Sequence, residues 1–415
     1  INHPLDCPIC DQAGECSLQI NTYKYGPEGS RFELNKVHKP KRIELGPRVT
    51  LDAERCINCT RCTRFTEEIS GTRQLQIMAR GDKNFPTAGP GKTFDDPYSM
   101  NTIDLCPVGA LTSTDFRFRA RAWEMNYTPN ICTGCAKGCS IDVWVRDNEV
   151  QRLTPRHNPK VNDYWMCDEG RLDYARYNDR RVSGIKQQGD VPLPWEEGMA
   201  LATELLQAHS GNILFVGSAH SSLETLHSLR AFAKSYGQET VPFVAHNEEG
   251  WGDGFLRRDD QTPNKAGALL AGLKETTLEA LKADVTSGQY ELVWVVEDDA
   301  VANCVTGLRS LPVVAQAFNF FEHADNCALL LPAATNFEAN GVYLNEDSLA
   351  QLALQAMQIR QMTPEMWMSL PKSRLDAGGV AIDNWRNPEH IIDCLPSWLL
   401  FKHMGQIEGR YQGYS

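Results

Sequence analysis

The chain has 415 residues, 42% hydrophobic and 23% charged, with a net charge of −12 at pH 7. That length exceeds one ordinary domain, the composition is that of a globular protein, and the acidic balance argues against a nucleic-acid-binding face. The longest apolar runs, such as "ILFVG", "LVWVV" and "ALLLPAA", fall well short of the roughly 20 residues that span a bilayer, so any membrane link is expected through partners.

Fourteen cysteines are present, and eleven of them fall between Cys7 and Cys167, leaving Cys304, Cys327 and Cys394 beyond. A disulfide-stapled secreted protein is usually small and evenly furnished with cysteine. C-x-x-C clusters in a long chain point instead to metal in a reducing compartment. Ile1 is not an initiator Met, and a candidate ligand follows two residues later, so a preceding segment is expected.

The first element, residues 1–40, opens with "HPLDCPICDQAGEC", which spaces His3, Cys7, Cys10 and Cys16 as H-x3-C-x2-C-x5-C. Three cysteines and one histidine also make a structural zinc set. Four ligands this close, with no second finger half, fit a [4Fe–4S] cubane better. Such clusters are normally held by thiolates, and one neutral imidazole makes the site less negative, which alters its potential.

Residues 41–125 form the second element. "CINCTRC" places Cys56, Cys59 and Cys62 at C-x2-C-x2-C. In two-cluster ferredoxins this run ends in x3-C-P, and that fourth cysteine serves the other cluster. Here Thr66 stands in the fourth position. A "CP" recurs at Cys106–Pro107, yet the triad that should precede it is Asp96, Ser99 and Thr102. One cluster has been erased and its cross-ligand retained, so Cys56, Cys59, Cys62 and Cys106 are expected to hold a single [4Fe–4S] cluster. Basic stretches at 36–48 ("KVHKPKRIELGPR") and 117–121 ("RFRAR") read as solvated surface or as groups facing anionic clusters or an acidic partner.

Residues 126–182 carry a third set. "CTGCAKGC" gives Cys132, Cys135 and Cys139, with Cys167 following in "CDEGR". A zinc ribbon is the competing assignment, and the x3 spacing favours a third [4Fe–4S] cluster. "SIDVWVRDNEVQRLTP" reads as a β-hairpin turning at "RDNE".

From 183 to 415 the texture changes. "PWEEGMALATELLQAH" has helical periodicity with acidic residues in its first turn. "NILFVGSAHSSLETLHSLRAFAKSYG" reads as a buried strand, a tight turn and a helix stopped at Gly237, and "YELVWVVEDD" and "LPVVAQAFNF" read as further strands. Alternation of strand and helix implies a parallel sheet in an α/β layer. "GSAHSS" after the first strand lacks G-x-G-x-x-G and is no dinucleotide fingerprint. The tail, 360–415, is rich in Pro, Trp and Met and is expected to wrap over neighbours. The three remaining cysteines read as small buried hydrophobes, and the nine other histidines show no ligand spacing.

Residues 1–180 resemble the G-subunit family of NADH–quinone oxidoreductase, the 75 kDa iron–sulfur subunit of mitochondrial respiratory complex I. The resemblance runs through "NHPLDCPICDQAGECSLQ", "RCINCTRCTRF", "NTIDLCPVGALT" and "RARAWEM". It implies that the first set is the family's His-ligated cluster and the second a main-path cluster. The third would be an off-path cluster of some bacteria, which points to a bacterial protein. The remainder resembles a shortened molybdopterin-oxidoreductase domain, through "VPLPWEEGMALA" and "ADNCALLLPAATNFEANGVYLNEDSLAQ", with Glu338, Gly341 and Asn345 in register. No segment resembles a molybdenum-ligating one, so a retained scaffold without molybdenum is expected.

The expected fold is α+β and α/β multidomain: an N-terminal ferredoxin-like iron–sulfur region, then a reduced molybdopterin-oxidoreductase-like α/β domain. The resemblance implies an electron-transfer subunit that relays electrons from the NADH/FMN side toward quinone, with no substrate chemistry of its own. It implies a flavin subunit and quinone-side iron–sulfur subunits as partners, a place on the cytoplasmic face of the bacterial inner membrane in the peripheral arm, and a [2Fe–2S] cluster on a preceding domain or another chain. Three other functions compete. An NAD-linked formate dehydrogenase subunit would need a molybdenum ligand, and an iron-only hydrogenase would need a further cysteine-rich catalytic domain. A zinc-stapled scaffold would hold no iron.

Overall fold

The computed structural model describes residues 3–29 and 31–358; the 360–415 tail and Cys394 lie outside the described residues. The chain divides into two compact units. One comprises Ile1–Tyr127 with Trp144–Leu172, and the other comprises Thr128–Val143 with the residues from Asp173 onward.

The first unit is built from short elements. Its sheet has the order Ile43–Glu44, Val49–Leu51, Leu111–Ser113, antiparallel throughout, with Thr50 opposite Thr112. Leu45, Val49, Leu51, Phe94, Val108 and Leu111 form its core, and Cys56, Cys62 and Cys106 pack against them. Strands Gln76–Met78 and Phe85–Thr87 make a small antiparallel pair. Gly46 lets two loops cross, because a Cβ there would overlap the Phe94 carbonyl. The Phe94 N–H in turn donates to the Leu45 carbonyl at 2.8 Å.

The expected hairpin is present as strands Ser140–Arg146 and Glu149–Pro155. Asp147 and Asn148 between them have φ of 55° and 60°, the left-handed pair that a two-residue hairpin turn requires. The Trp144 indole N–H donates to Thr154 Oγ1 at 2.9 Å across it.

The second unit contains a six-stranded sheet in the order Val191–Leu193, Ile185–Gln187, Leu329–Pro332, Val313–Ala317, Leu292–Val296, Ile213–Val216. The last four run parallel, and the two short strands at the other edge are antiparallel. Period-2 alternation explains why these strands read as unbroken apolar runs. Ile213, Phe215, Leu292, Trp294 and Val296 face one core with helices Trp195–Ala208 and Leu223–Ser235. Leu214, Val216, Val293 and Val295 face the other core, which takes residues from helices Leu278–Thr286 and Asp299–Gly307. A strand buried on both faces has no polar side, which is the signature of a parallel sheet covered by two helical layers.

Helix boundaries follow their local chemistry. Ser222 caps Leu223–Ser235 by accepting the Thr225 N–H at 3.3 Å, and Gly237 follows the helix with φ +88°. Gly217 serves packing, since a Cβ there would approach Leu273 Cδ2 to 2.6 Å.

Glu338 is wholly buried and forms an ion pair with buried Arg181, while also accepting from the Thr335 N–H at 3.0 Å and Thr335 Oγ1 at 3.1 Å. Removing one partner of such a pair strands a charge in low dielectric. Glu338→Gln is therefore expected to destabilise this unit by about 3–5 kcal/mol, and Arg181→Met with Glu338→Leu together by much less. Urea unfolding followed by tryptophan fluorescence reads both; equal losses in the two would refute the stranded-charge account.

Candidate metal centres

The first cysteine set is assembled in the first unit. Cys7–Ile9 is a single 3-10 turn, and Cys16 caps helix Ser17–Tyr25, its sulfur accepting the Gln19 N–H at 3.4 Å. Cys10 and Cys16 are buried, and burial raises the Cys10 thiol pKa, with repulsion from the Cys16 and Cys7 thiolates adding to it. His3 Nδ1 is buried without a hydrogen-bond partner. Burial holds the His3 pKa below its usual value, helped by the charges of Arg55 and Lys36, so its ring is neutral with a lone pair to give.

Basic side chains secure this loop through backbone carbonyls. Lys36 Nζ donates to the His3 carbonyl at 2.7 Å, and Arg121 donates to the carbonyls of Cys10 and Pro8, each at 2.7 Å. The basic stretches are thus partly structural. Arg55 adds ion pairs to Asp6 at 2.8 Å and to Asp52 at 3.1 Å.

The second set closes on a common cavity lined by Cys56, Cys59, Cys62 and Cys106, with apolar walls that include Leu51, Ile77 and Pro86. Cys62 lies within electrostatic reach of the other three, and burial followed by their repulsion pushes its thiol up to about 12. Burial also raises Cys106, against the opposing pull of the Val108, Leu111 and Ala110 backbone N–H groups.

Thr66, Asp96, Ser99 and Thr102, where a second cluster's ligands would stand, are all fully buried in polar bonds instead. Thr66 Oγ1 donates to the Thr63 carbonyl at 2.9 Å. Asp96 accepts from Ser70 Oγ and Thr72 Oγ1, each at 2.5 Å. Ser99 Oγ donates to Asp168 at 2.5 Å and Thr102 Oγ1 to the Ser99 carbonyl at 2.6 Å.

One short segment links these two sets. Cys106 begins it; the Cys16 thiol donates to the Pro107 carbonyl at 3.7 Å; and a Cβ on Gly109 would overlap Cys10 Sγ.

In the second unit, Cys132, Cys135 and Cys139 share one loop, closed by the Cys132 N–H on the Cys139 carbonyl at 2.8 Å. Burial, then repulsion from Cys135, pushes Cys132 up to about 12. The late motif holds this loop. Gln351 Nε2 donates to the Gly138 carbonyl at 2.8 Å, Asn345 Nδ2 to the Lys137 carbonyl at 3.3 Å, and the Glu346 N–H to the Ala136 carbonyl at 2.8 Å. Gly341 closes on Ser222, where a Cβ would approach to 2.6 Å. Cys167 belongs to the first unit, buried ahead of helix Asp168–Leu172. There Asn101 Nδ2 donates to the Met166 carbonyl at 2.8 Å, and Arg171 pairs with Asp104.

None of the thirteen cysteines among the described residues is in a disulfide. Of the lone ones, Cys327 is buried in the apolar core and Cys304 half-buried. Buried thiols crowded together resist ionisation, and bound metal reverses that by holding them as thiolates. The donor sets, the orphaned His3 nitrogen and the apolar cavity therefore fit iron–sulfur clusters.

These features suit an iron–sulfur-binding protein, and the family comparisons show a ferredoxin-like region preceding a molybdopterin-oxidoreductase-type iron–sulfur domain. Residues 1–31 match the family model of the NADH-ubiquinone oxidoreductase-G iron-sulfur binding region. Residues 46–112 match the ferredoxin-like domain of NADH-quinone oxidoreductase subunit 3, and residues 125–179 the molybdopterin oxidoreductase Fe4S4 domain. The chain is 36% identical over 239 residues to the NADH-quinone oxidoreductase G subunit of Streptomyces coelicolor, covering 56% of this chain and 28% of the relative. It is 36% identical over 292 residues to the NADH-ubiquinone oxidoreductase 75 kDa subunit of Reclinomonas americana, covering 67% and 42%. It is 38% identical over 239 residues to NADH-quinone oxidoreductase subunit 3 of Thermus thermophilus, covering 54% and 30%. The chain is a homologue of the G and 75 kDa iron–sulfur subunits of NADH–quinone oxidoreductase. Each of these matches spans less than half the length of the relative.

Proposed function

We propose that the chain is an electron-relay subunit of a respiratory NADH–quinone oxidoreductase, carrying electrons from a flavin-bearing partner toward quinone-side iron–sulfur partners. The observation that carries this reading is the Cys106–Gly109 segment, which supplies a ligand candidate to the second set and touches Cys16 and Cys10 of the first. Two redox groups sharing one strip of backbone suit a wire better than a catalytic cleft.

Three [4Fe–4S] clusters are proposed. His3, Cys7, Cys10 and Cys16 would hold the first, and Cys56, Cys59, Cys62 and Cys106 the second. For the third, Cys132, Cys135, Cys139 and Cys167 are supported by their spacing and by a family match that runs through all four. When bound, the clusters supply one-electron redox chemistry.

The chain's residues tune and shield them. The neutral His3 ring removes one negative charge from the first site, and Arg55 and Lys36 add positive charge beside it; both changes favour reduction. Backbone N–H groups of Val108, Ala110 and Leu111 directed at Cys106 do the same at the second. Leu51, Ile77 and Pro86 give that cavity apolar walls.

The division of labour in this reading places hydride chemistry on the flavin partner, a [2Fe–2S] cluster on a preceding domain or another chain, and no molybdenum in the α/β unit. Among the described residues no helix is long and apolar enough to cross a membrane. Attachment at the cytoplasmic face of the bacterial inner membrane would come from partner subunits.

The isolated, cluster-loaded chain is expected to stay oxidised when mixed with NADH and to become reduced once the flavin subunit is added, as read by EPR. Reduction by NADH, or by formate, without a partner would overturn the relay reading.

A further inference from the structure

Three polar side chains in the second unit meet at the C-terminal edge of its parallel strands. His220 follows strand Ile213–Val216, His246 follows strand Pro242–Val244, and Asp298 follows strand Leu292–Val296. Strands Ile213–Val216 and Leu292–Val296 are parallel neighbours, and a parallel bridge between Gly217 and Phe243 sets the third beside them. Carboxyl ends of parallel strands are where open α/β sheets place ligands. We propose that His220, His246 and Asp298 form a divalent-metal site there, with zinc the preferred ion.

The donor set is the first argument. Two imidazoles and a carboxylate are the protein half of a three-ligand zinc site, which keeps its fourth position open. One ligand atom from each lies within 4.8 Å of the others, and His246 Nε2 stands 2.9 Å from Asp298 Oδ2. Zinc bonds of about 2.0–2.2 Å put tetrahedral ligands roughly 3.3 Å apart. The His220 ring, whose centroid is 5.5 Å from that of His246, would have to move closer for all three side chains to bind one ion.

The surroundings are those of an oriented site. Asp298 Oδ1 is committed to the Val301 N–H at 3.0 Å as a helix cap, which leaves Oδ2 for His246 and, at 3.4 Å, Ser218 Oγ. Ser218 Oγ also accepts the backbone N–H of His220 at 3.2 Å, and Thr262 Oγ1 accepts the backbone N–H of His246 at 3.0 Å, which holds the loops that carry the two rings. The cap bond on Oδ1 holds the Asp298 carboxylate in one direction, as outer contacts do for ligating carboxylates. Burial lowers the His220 pKa to about 4, leaving a neutral ring at pH 7.

His220 also walls a pocket with Thr133, Arg176, Asp299, Asn319 and Asn336, which leaves room for water beside its ring. The three residues are 26 and 52 positions apart along the chain, so no local spacing announces them.

The test uses the full, anaerobically purified, iron-loaded chain, so that the cysteines are occupied. It is titrated with zinc chloride against a competing fluorescent chelator, and iron content is followed throughout. The expected result is one zinc per chain, with nitrogen and oxygen ligands by X-ray absorption. His246→Gln and Asp298→Asn are each expected to weaken zinc by more than the roughly 10–100-fold that outer-shell changes cost, with iron unchanged. No zinc uptake, sulfur-ligated zinc, or uptake equal in the variants would overturn the site. Retention of iron in the variants separates this outcome from failure of the cluster assignment, and His246, with 29% of its side chain exposed, lies outside the apolar core clusters.

Discussion

Cys106→Ser is expected to lower the iron content of the chain by about four ions, one cubane's worth, and, on the relay role proposed above, to stop electron flow from NADH to quinone in the assembled complex. Cys106 sits at the C-terminus of helix Asn101–Leu105, with Cys56, Cys59 and Cys62 around the same cavity. Serine keeps the shape but not the soft sulfur that iron prefers. The buried hydroxyl would stand among thiols that repel one another and that burial already disfavours as thiolates. EPR of the dithionite-reduced variant should lose the signal of the second cluster and keep the first. Full iron with unchanged turnover would mean that Cys106 is not a ligand.

Gly109→Ala is expected to do the converse through a residue that binds nothing. A Cβ at this position would overlap Cys10 Sγ and approach Gln12 Cβ to 3.0 Å. The sulfur cannot swing aside if it is held by a cluster, and overpacking of a fixed neighbour typically costs about 1–3 kcal/mol. That strain falls on the first set, so the variant should lose its EPR signal, with about four irons per chain, while the second persists. Gly29→Ala is the control: a Cβ there meets nothing within 4 Å, and iron should stay at the wild-type level. Equal iron in the Gly109 variant and the control would contradict the placement of Cys10.

Much of this architecture was legible because its signals are local. C-x-x-C spacing brings thiols together within one or two turns of chain, whatever the rest does. Thr66, Asp96, Ser99 and Thr102 stand where a second ferredoxin cluster's ligands would be expected, and in the structure their side chains are taken up in hydrogen bonds. The strands around Phe215, Trp294 and Val314 read as apolar runs because both their faces are buried.

What was not legible depends on distant parts of the chain. Arg121 clasps the Cys7–Cys10 turn from more than 100 residues away, and nothing near it in sequence marks that role. Gly109 is one glycine in a "CPVGA" stretch until Cys10 is set against it. Glu338 and Asn345 were recognised by register alone; their work, a buried ion pair and a hold on the cysteine loop, appears only in three dimensions. His220, His246 and Asp298 are joined by the sheet rather than by spacing.

The central claim is that three ligand sets hold iron. It is tested most directly by measuring iron and acid-labile sulfide per anaerobically purified chain, with EPR of the dithionite-reduced sample and the zinc X-ray absorption edge. Three cubanes predict about twelve iron and about twelve sulfide, with any zinc bound by nitrogen and oxygen. About eight iron with sulfur-ligated zinc would contradict the claim, turning one cysteine set into a structural staple.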